Sequence, residues 1–249
     1  AEDGIRDYKV TGVQTCALPI FSKIKSEISN ENIKIVCDNT FASPYNQQPL
    51  KLGADVVVHS STKYLGGHSD LISGAVIIKD DTHLSEKIKY LQNAVGSVPS
   101  PFDCYMLIRS IKTLAVRMER HNSNAMIISE FLNNHKKIRK VRYPGLESDN
   151  NHKVASKQMK GFGGIISVEL DSDLKGTLKF LENIDIFTLA ESLGGVESLI
   201  EHPAIMTHAS IEKNIREDLG ISDSLVRLSI GIEDPEDLKT ALNKALDLI

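Results

Sequence analysis

The sequence predicts an α/β fold with a largely parallel sheet, and three observations carry that prediction. Short β-branched runs alternate with stretches of helical period from residue 21 onward. Turn formers punctuate the chain where one pattern gives way to the next. With 249 residues the chain can bury a sizeable core as one large or two modest domains.

The elements follow in order. "FSKIKSEIS" places Phe21, Ile24 and Ile28 on one helical face, and "IKIVCDNT" (33–40) is a short strand that ends in turn formers. "ADVVVHS" and "SGAVIIK" (73–79) read as further strands. From Asp103 a long helix carries Leu107, Ile108, Ile111, Leu114, Ala115 and Met118 as one stripe, and helical character resumes through "NAMIISEFLNNH". Beyond the loop "RYPGLESDNN" come strand "GIISVEL", helix "LKGTLKFLENI", strand "LVRLSIGIE" and helix "DPEDLKTALNKALDLI". Asp234 is the expected N-cap of that last helix, with Pro235 in its first turn. Two lobes result, residues 21–117 and 118–249, with the long helix leading from one to the other. No internal repeat and no low-complexity tract interrupts them.

Residues 1–20 stand apart. They hold no sustained period of 2 or 3.6, and "VTGVQTCALPI" resembles the in-frame translation of a common sequencing adapter, so the segment is set aside as non-native.

Composition narrows function. The 29 basic and 33 acidic residues form no block of one sign, which disfavours nucleic acid and anionic membrane and favours a small-molecule ligand. Without a membrane-length apolar run or a signal-peptide pattern, the expected location is the cytoplasm. The three cysteines, Cys16, Cys37 and Cys104, lack CxxC spacing, and Cys37 reads as a small hydrophobe. His59, His68, His202 and His208 include no pair at zinc-motif spacing, so no metal is expected.

The chemistry-bearing stretch is "DVVVHSSTKYLGGHSD" (55–70). Lys63 follows a buried-strand pattern, where a cation needs a reason. A phosphate-binding P-loop is excluded because its glycines precede the lysine and a Ser/Thr follows it. A lysine that forms a Schiff base with a cofactor suits a strand end facing a cleft; Ser60 and Thr62 suit a cofactor phosphate, and Asp38 at the preceding strand end suits a ring nitrogen. On these residues alone a solvated turn competes with a pyridoxal site.

At "DNTFASPYNQQPLKLGADVVVHSSTKYLGGHSD" the chain closely resembles the Cys/Met-metabolism family of pyridoxal-phosphate enzymes of fold type I. The likeness continues through "GSVPSPFDCYMLIRSIKTLAVRMERH", "TLAESLGGVESLIEHPAIMTHAS" and "LGISDSLVRLSIGIEDPEDL", covering essentially everything after residue 20. It implies a pyridoxal 5'-phosphate cofactor, with Lys63 as the Schiff-base lysine, Asp38 as the pyridinium partner, and Ser60 and Thr62 as phosphate-contacting hydroxyls. It places Ser192 beside the substrate carboxylate and Arg227 as its clamp; independently, Val226, Leu228 and Ile230 share a strand face that leaves Arg227 on the other. Glu191 matches an acid usual in members that act on cystathionine, tilting the expectation away from methionine γ-lyases and β-lyases, although a solvent-facing acid at a strand end is the plainer account.

The implied reaction is γ-elimination of cystathionine to cysteine, 2-oxobutanoate and ammonia. γ-Replacement, making cystathionine from an O-acylhomoserine and cysteine, is the alternative, and a non-catalytic relic is the second. Family members carry roughly 130 to 170 further N-terminal residues and assemble as homotetramers, a dimer of dimers. The expectation is therefore a truncated large domain plus a smaller C-terminal α/β domain: a chain inactive alone and prone to associate, with faces such as Val56 to Val58 losing cover.

Overall fold

A computed structural model describes residues 21–30, 32–79 and 81–249. The adapter-like segment 1–20, with Cys16, lies outside the described residues. The chain runs through α1 (Phe21–Glu27), β1 (Val36–Asp38), α2 (Ser43–Asn46), α3 (Pro49–Leu52), β2 (Val56–Ser60), β3 (Gly74–Ile78), α4 (Thr82–Val95), α5 (Pro101–Ile111) and α6 (Leu114–Asn133). It continues through β4 (Ile138–Arg142), α7 (His152–Gln158), β5 (Ile165–Leu170), α8 (Leu174–Asn183), β6 (Thr188–Leu189), β7 (Leu199–Glu201), α9 (Lys213–Asp218), β8 (Leu225–Ser229) and α10 (Pro235–Leu246).

Two sheets organise these elements. The first has order β1-β2-β3, with β1 parallel and β3 antiparallel to β2. The second has order β4-β5-β8-β7-β6 and is antiparallel apart from its β6–β7 pair. Pairing among the described residues is therefore mixed, where the sequence suggested a mostly parallel sheet. The cause lies in the connections. A parallel return needs a crossover, which α2 and α3 provide between β1 and β2, whereas a non-helical loop joins β2 to β3 and brings the chain back antiparallel.

The faces explain the sequence pattern. α1 lays Phe21 (3% exposed) with Ile24 and Ile28 against Ile35, Ala54 and Val57, so β2 is covered from its own lobe. Val56 and Val57 are accordingly buried and Val58 is half-buried, so the expected loss of cover reaches Val58 and falls most on the outer strands: Val36, Val76 and Ile77 are exposed. In the second sheet Ile166, Val168, Val226, Leu228 and Ile200 point into one core with Ala125, Ile128 and Leu132 of α6, Phe180 of α8 and Leu238 and Leu242 of α10. Alternation then sends Ser167, Arg227 and Glu201 to the opposite face, in direct register across β5, β8 and β7. Asp234 caps α10 as expected, its side chain accepting from the Glu236 amide, with Pro235 opening the helix.

The long helix expected from Asp103 is two helices. Ser100 caps α5, accepting from the Asp103 amide, and the Thr113 hydroxyl donates to the Ser110 carbonyl where the helix breaks. That break divides the predicted stripe. Leu107, Leu114 and Met118 pack with Tyr64, Leu65, Ile165 and Leu193, while Ile108, Ile111 and Ala115 face outward. α6 thereby joins both sheets: its first turns meet the segment after β2, and its last turns enter the second core. The expected boundary at 117/118 falls inside it. Among the described residues no helix is long and apolar enough to cross a membrane.

His121, fully buried on α6, donates from Nδ1 to the Ile230 carbonyl at 2.7 Å, while Nε2 has no hydrogen-bond partner among the described residues. Burial pushes its pKa down from 6.5 to about 4. The unfolded chain takes this proton below pH 6.5, whereas the folded chain refuses it until about pH 4, so stability is full above pH 6.5 and falls across that window. Between pH 7 and 4.5 this one group removes about 2.5 kcal/mol. In urea titrations at the two pH values, His121→Gln should lose that share of the pH dependence whatever its absolute stability.

Candidate active site

The site grows from the end of β2. Beyond Ser60 the chain turns sharply: the Lys63 amide donates to the Ser60 carbonyl at 3.2 Å, and the Thr62 amide to the Ser73 carbonyl at 3.2 Å. The Gly66 and Gly67 amides then donate to the Ser61 and Lys63 carbonyls at 2.8 and 2.7 Å. Gly67 has φ +70°, and a Cβ there would sit 2.1 Å from Arg117 Nη1, so two constraints require glycine.

Arg117, 4% exposed, clamps this turn. Its Nη1 donates to the Tyr64 carbonyl at 2.7 Å, Nη2 to the Leu65 and Ser110 carbonyls at 3.4 and 3.0 Å, and Nε to Thr113 Oγ1 at 3.1 Å. Tyr64 adds a second tie. Its hydroxyl accepts from the Gly164 amide at 2.9 Å and its ring meets His121 edge-on at 5.1 Å.

A second loop, between β6 and β7, arrives from the other sheet. The Gly194 amide donates to Ser229 Oγ at 2.9 Å, and the Val196 amide donates directly to the Gly67 carbonyl at 2.9 Å. This contact brings Ser192 to Lys63, whose Nζ donates to Ser192 Oγ at 3.0 Å. Burial lowers the Lys63 pKa first and the nearby Arg227 guanidinium lowers it further, while Glu201 opposes both. A lowered pKa raises the fraction of free amine, the nucleophilic form.

Arg227, 3% exposed in the middle of β8, is ion-paired with Glu201, which is 1% exposed. Its Nη2 also donates to the Glu191 carbonyl at 3.3 Å, so Glu191 meets Arg227 through its backbone while the residue as a whole is exposed. Lys63, Ser192, Arg227 and the Glu191 backbone thus converge on one place. Asp38 stands at the carboxyl end of β1, parallel and adjacent to β2, and accepts from the Thr40 amide at 3.0 Å. Thr40 Oγ1 in turn accepts from the Ser60 amide at 2.8 Å. The Thr62 hydroxyl accepts from the Ser73 amide at 3.1 Å and donates to its carbonyl at 3.3 Å, so it already braces the turn. Cys37 is half-buried, and burial together with Asp38 pushes its pKa up to about 11, which removes it as a nucleophile.

Sequence reading missed Arg117, Glu201 and Tyr64. Glu201 had a signal, since an acid between Ile200 and His202 interrupts the apolar run "SLIEHPA".

Gly194, at φ +76°, would carry a Cβ 2.9 Å from the Tyr64 backbone nitrogen. Gly194→Ala should cost about 1–3 kcal/mol through the left-handed backbone alone, with the contact adding to it. Thermal melting of the variant, unchanged, would show that the two loops do not depend on this approach.

The sequence pattern of the family described as Cys/Met metabolism PLP-dependent enzyme matches residues 13–247. Cystathionine beta-lyase of Coxiella burnetii is 56% identical over 225 residues, covering 90% of this chain and 58% of that protein. Cystathionine gamma-lyase of Dictyostelium discoideum is 52% identical over 220 residues, covering 88% and 57%. The crystal structure of cystathionine gamma synthase from Xanthomonas oryzae pv. oryzae in complex with cystathionine superposes with a TM-score of 0.88 at 42% identity, covering 93% of this chain and 59% of that one. The chain therefore spans less than two thirds of the length of these relatives. A β-lyase at 56% stands level with or above the γ-lyase at 52%, which withdraws support from the tilt against β-lyases drawn from Glu191. With nearly its whole length matched, the chain belongs to the Cys/Met metabolism family of pyridoxal-phosphate-dependent enzymes, of fold type I.

Proposed function

We propose that the whole protein catalyses γ-elimination of cystathionine, consuming water and yielding cysteine, 2-oxobutanoate and ammonia. The observation that carries the reading is the Lys63 amine, its pKa lowered by burial, held 3.0 Å from Ser192 where Arg227 also converges. The donor set fits pyridoxal phosphate: an amine for a covalent link, the Asp38 carboxylate at the neighbouring strand end, and the Ser60 and Thr62 hydroxyls at the turn. Thr62 fits least, because both of its hydrogen-bonding roles are engaged with Ser73. When bound, the cofactor supplies an aldehyde that takes the substrate amine and a ring that accepts the electron pair released at the α carbon.

The chain's own groups divide the remaining work. Asp38 would keep the ring nitrogen protonated, Ser60 and Thr62 would hold the phosphate, and Arg227 and Ser192 would hold the substrate carboxylate. Lys63 would hold the cofactor through its amine and, as a free amine, would carry protons at the substrate α and β carbons. Elimination at the γ carbon breaks the bond to sulfur, and the sulfur leaves as the cysteine thiol. We extend the reading to a division at 21–117 and 118–249 with α6 shared, and to a tetramer in which this chain alone is inactive. Exposed Tyr90, Val95, Val98, Phe102, Tyr105 and Ile108 on and between α4 and α5 support an assembly that covers them.

β-Elimination is the second reading, favoured by the 56% identity to a protein named cystathionine beta-lyase. It cleaves on the other side of the sulfur and gives homocysteine, pyruvate and ammonia. γ-Replacement uses the same residues but needs an O-acylhomoserine and cysteine. Incubating the full-length protein with cystathionine separates the first two by their keto acid: 2-oxobutanoate supports the proposal and pyruvate overturns it. Cystathionine formed only from O-succinylhomoserine and cysteine would establish the third.

Two variants test the residues. Lys63→Ala should cut turnover by about 100- to 10,000-fold through the lost proton carrier alone, and near-parental turnover would mean another lysine does the work. Arg227→Lys keeps the charge but not the planar fork, so substrate binding should weaken by about 1.5–3 kcal/mol, read as a raised KM.

A further inference from the structure

We propose that Glu201 is a positioning residue, whose carboxylate holds the Arg227 guanidinium in the orientation that receives a substrate carboxylate, with Thr207 holding Glu201 in turn. This rests on the reading of Arg227 as the carboxylate clamp. Glu201 and Arg227 are direct cross-strand partners on β7 and β8, both almost fully buried. One oxygen of Glu201, Oε2, lies against Arg227 Nη2, and the other, Oε1, accepts from the Thr207 hydroxyl at 2.6 Å. Oε1 is thus hydrogen-bonded and Oε2 is ion-paired, without hydrogen-bond geometry among the described residues, so the carboxylate is restrained from one side and set by charge against the guanidinium on the other. The Glu191 carbonyl, one residue before Ser192, bonds the same Nη2 and ties the fork to the loop that reaches Lys63.

A buried ion pair kept only for stability is a poor bargain, because well-packed apolar residues at both positions do as well or better. The pair makes sense where one member has a second task. Arg227 must wait in a dry site for a carboxylate without collapsing onto another acceptor, and a fixed counter-charge on the neighbouring strand holds it there. Glu201 also offsets the effect of Arg227 on the Lys63 amine, so the clamp does not penalise the protonated lysine without compensation.

The test uses full-length holoenzyme and two simple probes, glycine and methylamine, which share an amine and differ in the carboxylate. Binding is read by calorimetry. Glu201→Gln should raise the glycine Kd about tenfold, the lower end for a charged hydrogen bond, and leave methylamine within about twofold. Glu201→Asp should recover part of the loss. Thr207→Ala alters only an exposed residue and should raise the glycine Kd about threefold, which keeps the proposal testable if Glu201→Gln fails to fold. On an Arg227→Ala background, Glu201→Gln should add nothing for glycine.

Unchanged glycine affinity in Glu201→Gln, or equal weakening of both probes, overturns the positioning role. If Arg227→Ala itself binds glycine normally, the carboxylate reading of Arg227 fails, a result separate from any outcome at Glu201.

Discussion

A buried guanidinium without an acid beside it fixes the geometry on which the site depends. Arg117 gives its hydrogen bonds to the Tyr64, Leu65 and Ser110 carbonyls and to Thr113, and among the described residues no carboxylate lies within ion-pair distance of it. Burying a charge is costly unless its donors are filled, so the turn after Lys63 must keep its carbonyls pointed at α6. α6 in turn is fixed by the second core through Ala125, Ile128 and Leu132. The end of β2 is therefore placed by packing on the far sheet. The break between α5 and α6 belongs to the same arrangement, because Ser110 and Thr113, which sit at it, are two of the acceptors Arg117 uses.

The second buried cation follows a different logic. Arg227 faces an acid, sits on a central strand, donates to the carbonyl of Glu191 next to Ser192 and is near enough to Lys63 to lower its pKa. Removing one member of such a pair costs about 3–5 kcal/mol because the other is stranded. The two arginines divide accordingly: the one satisfied by carbonyls holds backbone, and the one paired with a carboxylate is the one proposed to receive a charged ligand. Exposure does not separate them, at 4% and 3%; partner chemistry does.

Local signals explain what was legible in the sequence. Asp234 followed by Pro235 is a cap readable within three residues, and the alternation around Arg227 placed it off the core face because period 2 is a property of the strand itself. Lys63 was legible as a cation out of place after a valine run. What stayed hidden depends on distance along the chain. Arg117 reaches carbonyls 52 and 53 residues away, and no window of sequence contains both ends. β4 was missed because "IRKVR" buries only Val141, and β7 because its three residues are buried on both faces and show no alternation. The parallel character of the first sheet was overestimated because periodicity reports faces and says nothing of direction, which the connections decide. The stripe across α5 and α6 held only in part for a related reason: the helix breaks between Ile111 and Leu114, so Leu107, Leu114 and Met118 share a cluster while Ile108 and Ile111 do not.

Burial is distributed along the same lines. Tyr64, Arg117, Glu201 and Arg227 are each under 5% exposed and held by contacts from at least two elements. Lys63, between them, is only half-buried, and among the described residues its amine is hydrogen-bonded to Ser192. A long flexible stem anchored in a rigid turn lets an amine leave one partner for another without moving the frame. The role proposed for Lys63, to bond, let go and then carry protons, would draw on that combination. A rigid lysine could bond but not shuttle, and a mobile frame would lose the alignment of the proposed carboxylate clamp by the ångström that matters to rate. Under that proposal the burial of the arginines and the partial exposure of the lysine answer one requirement.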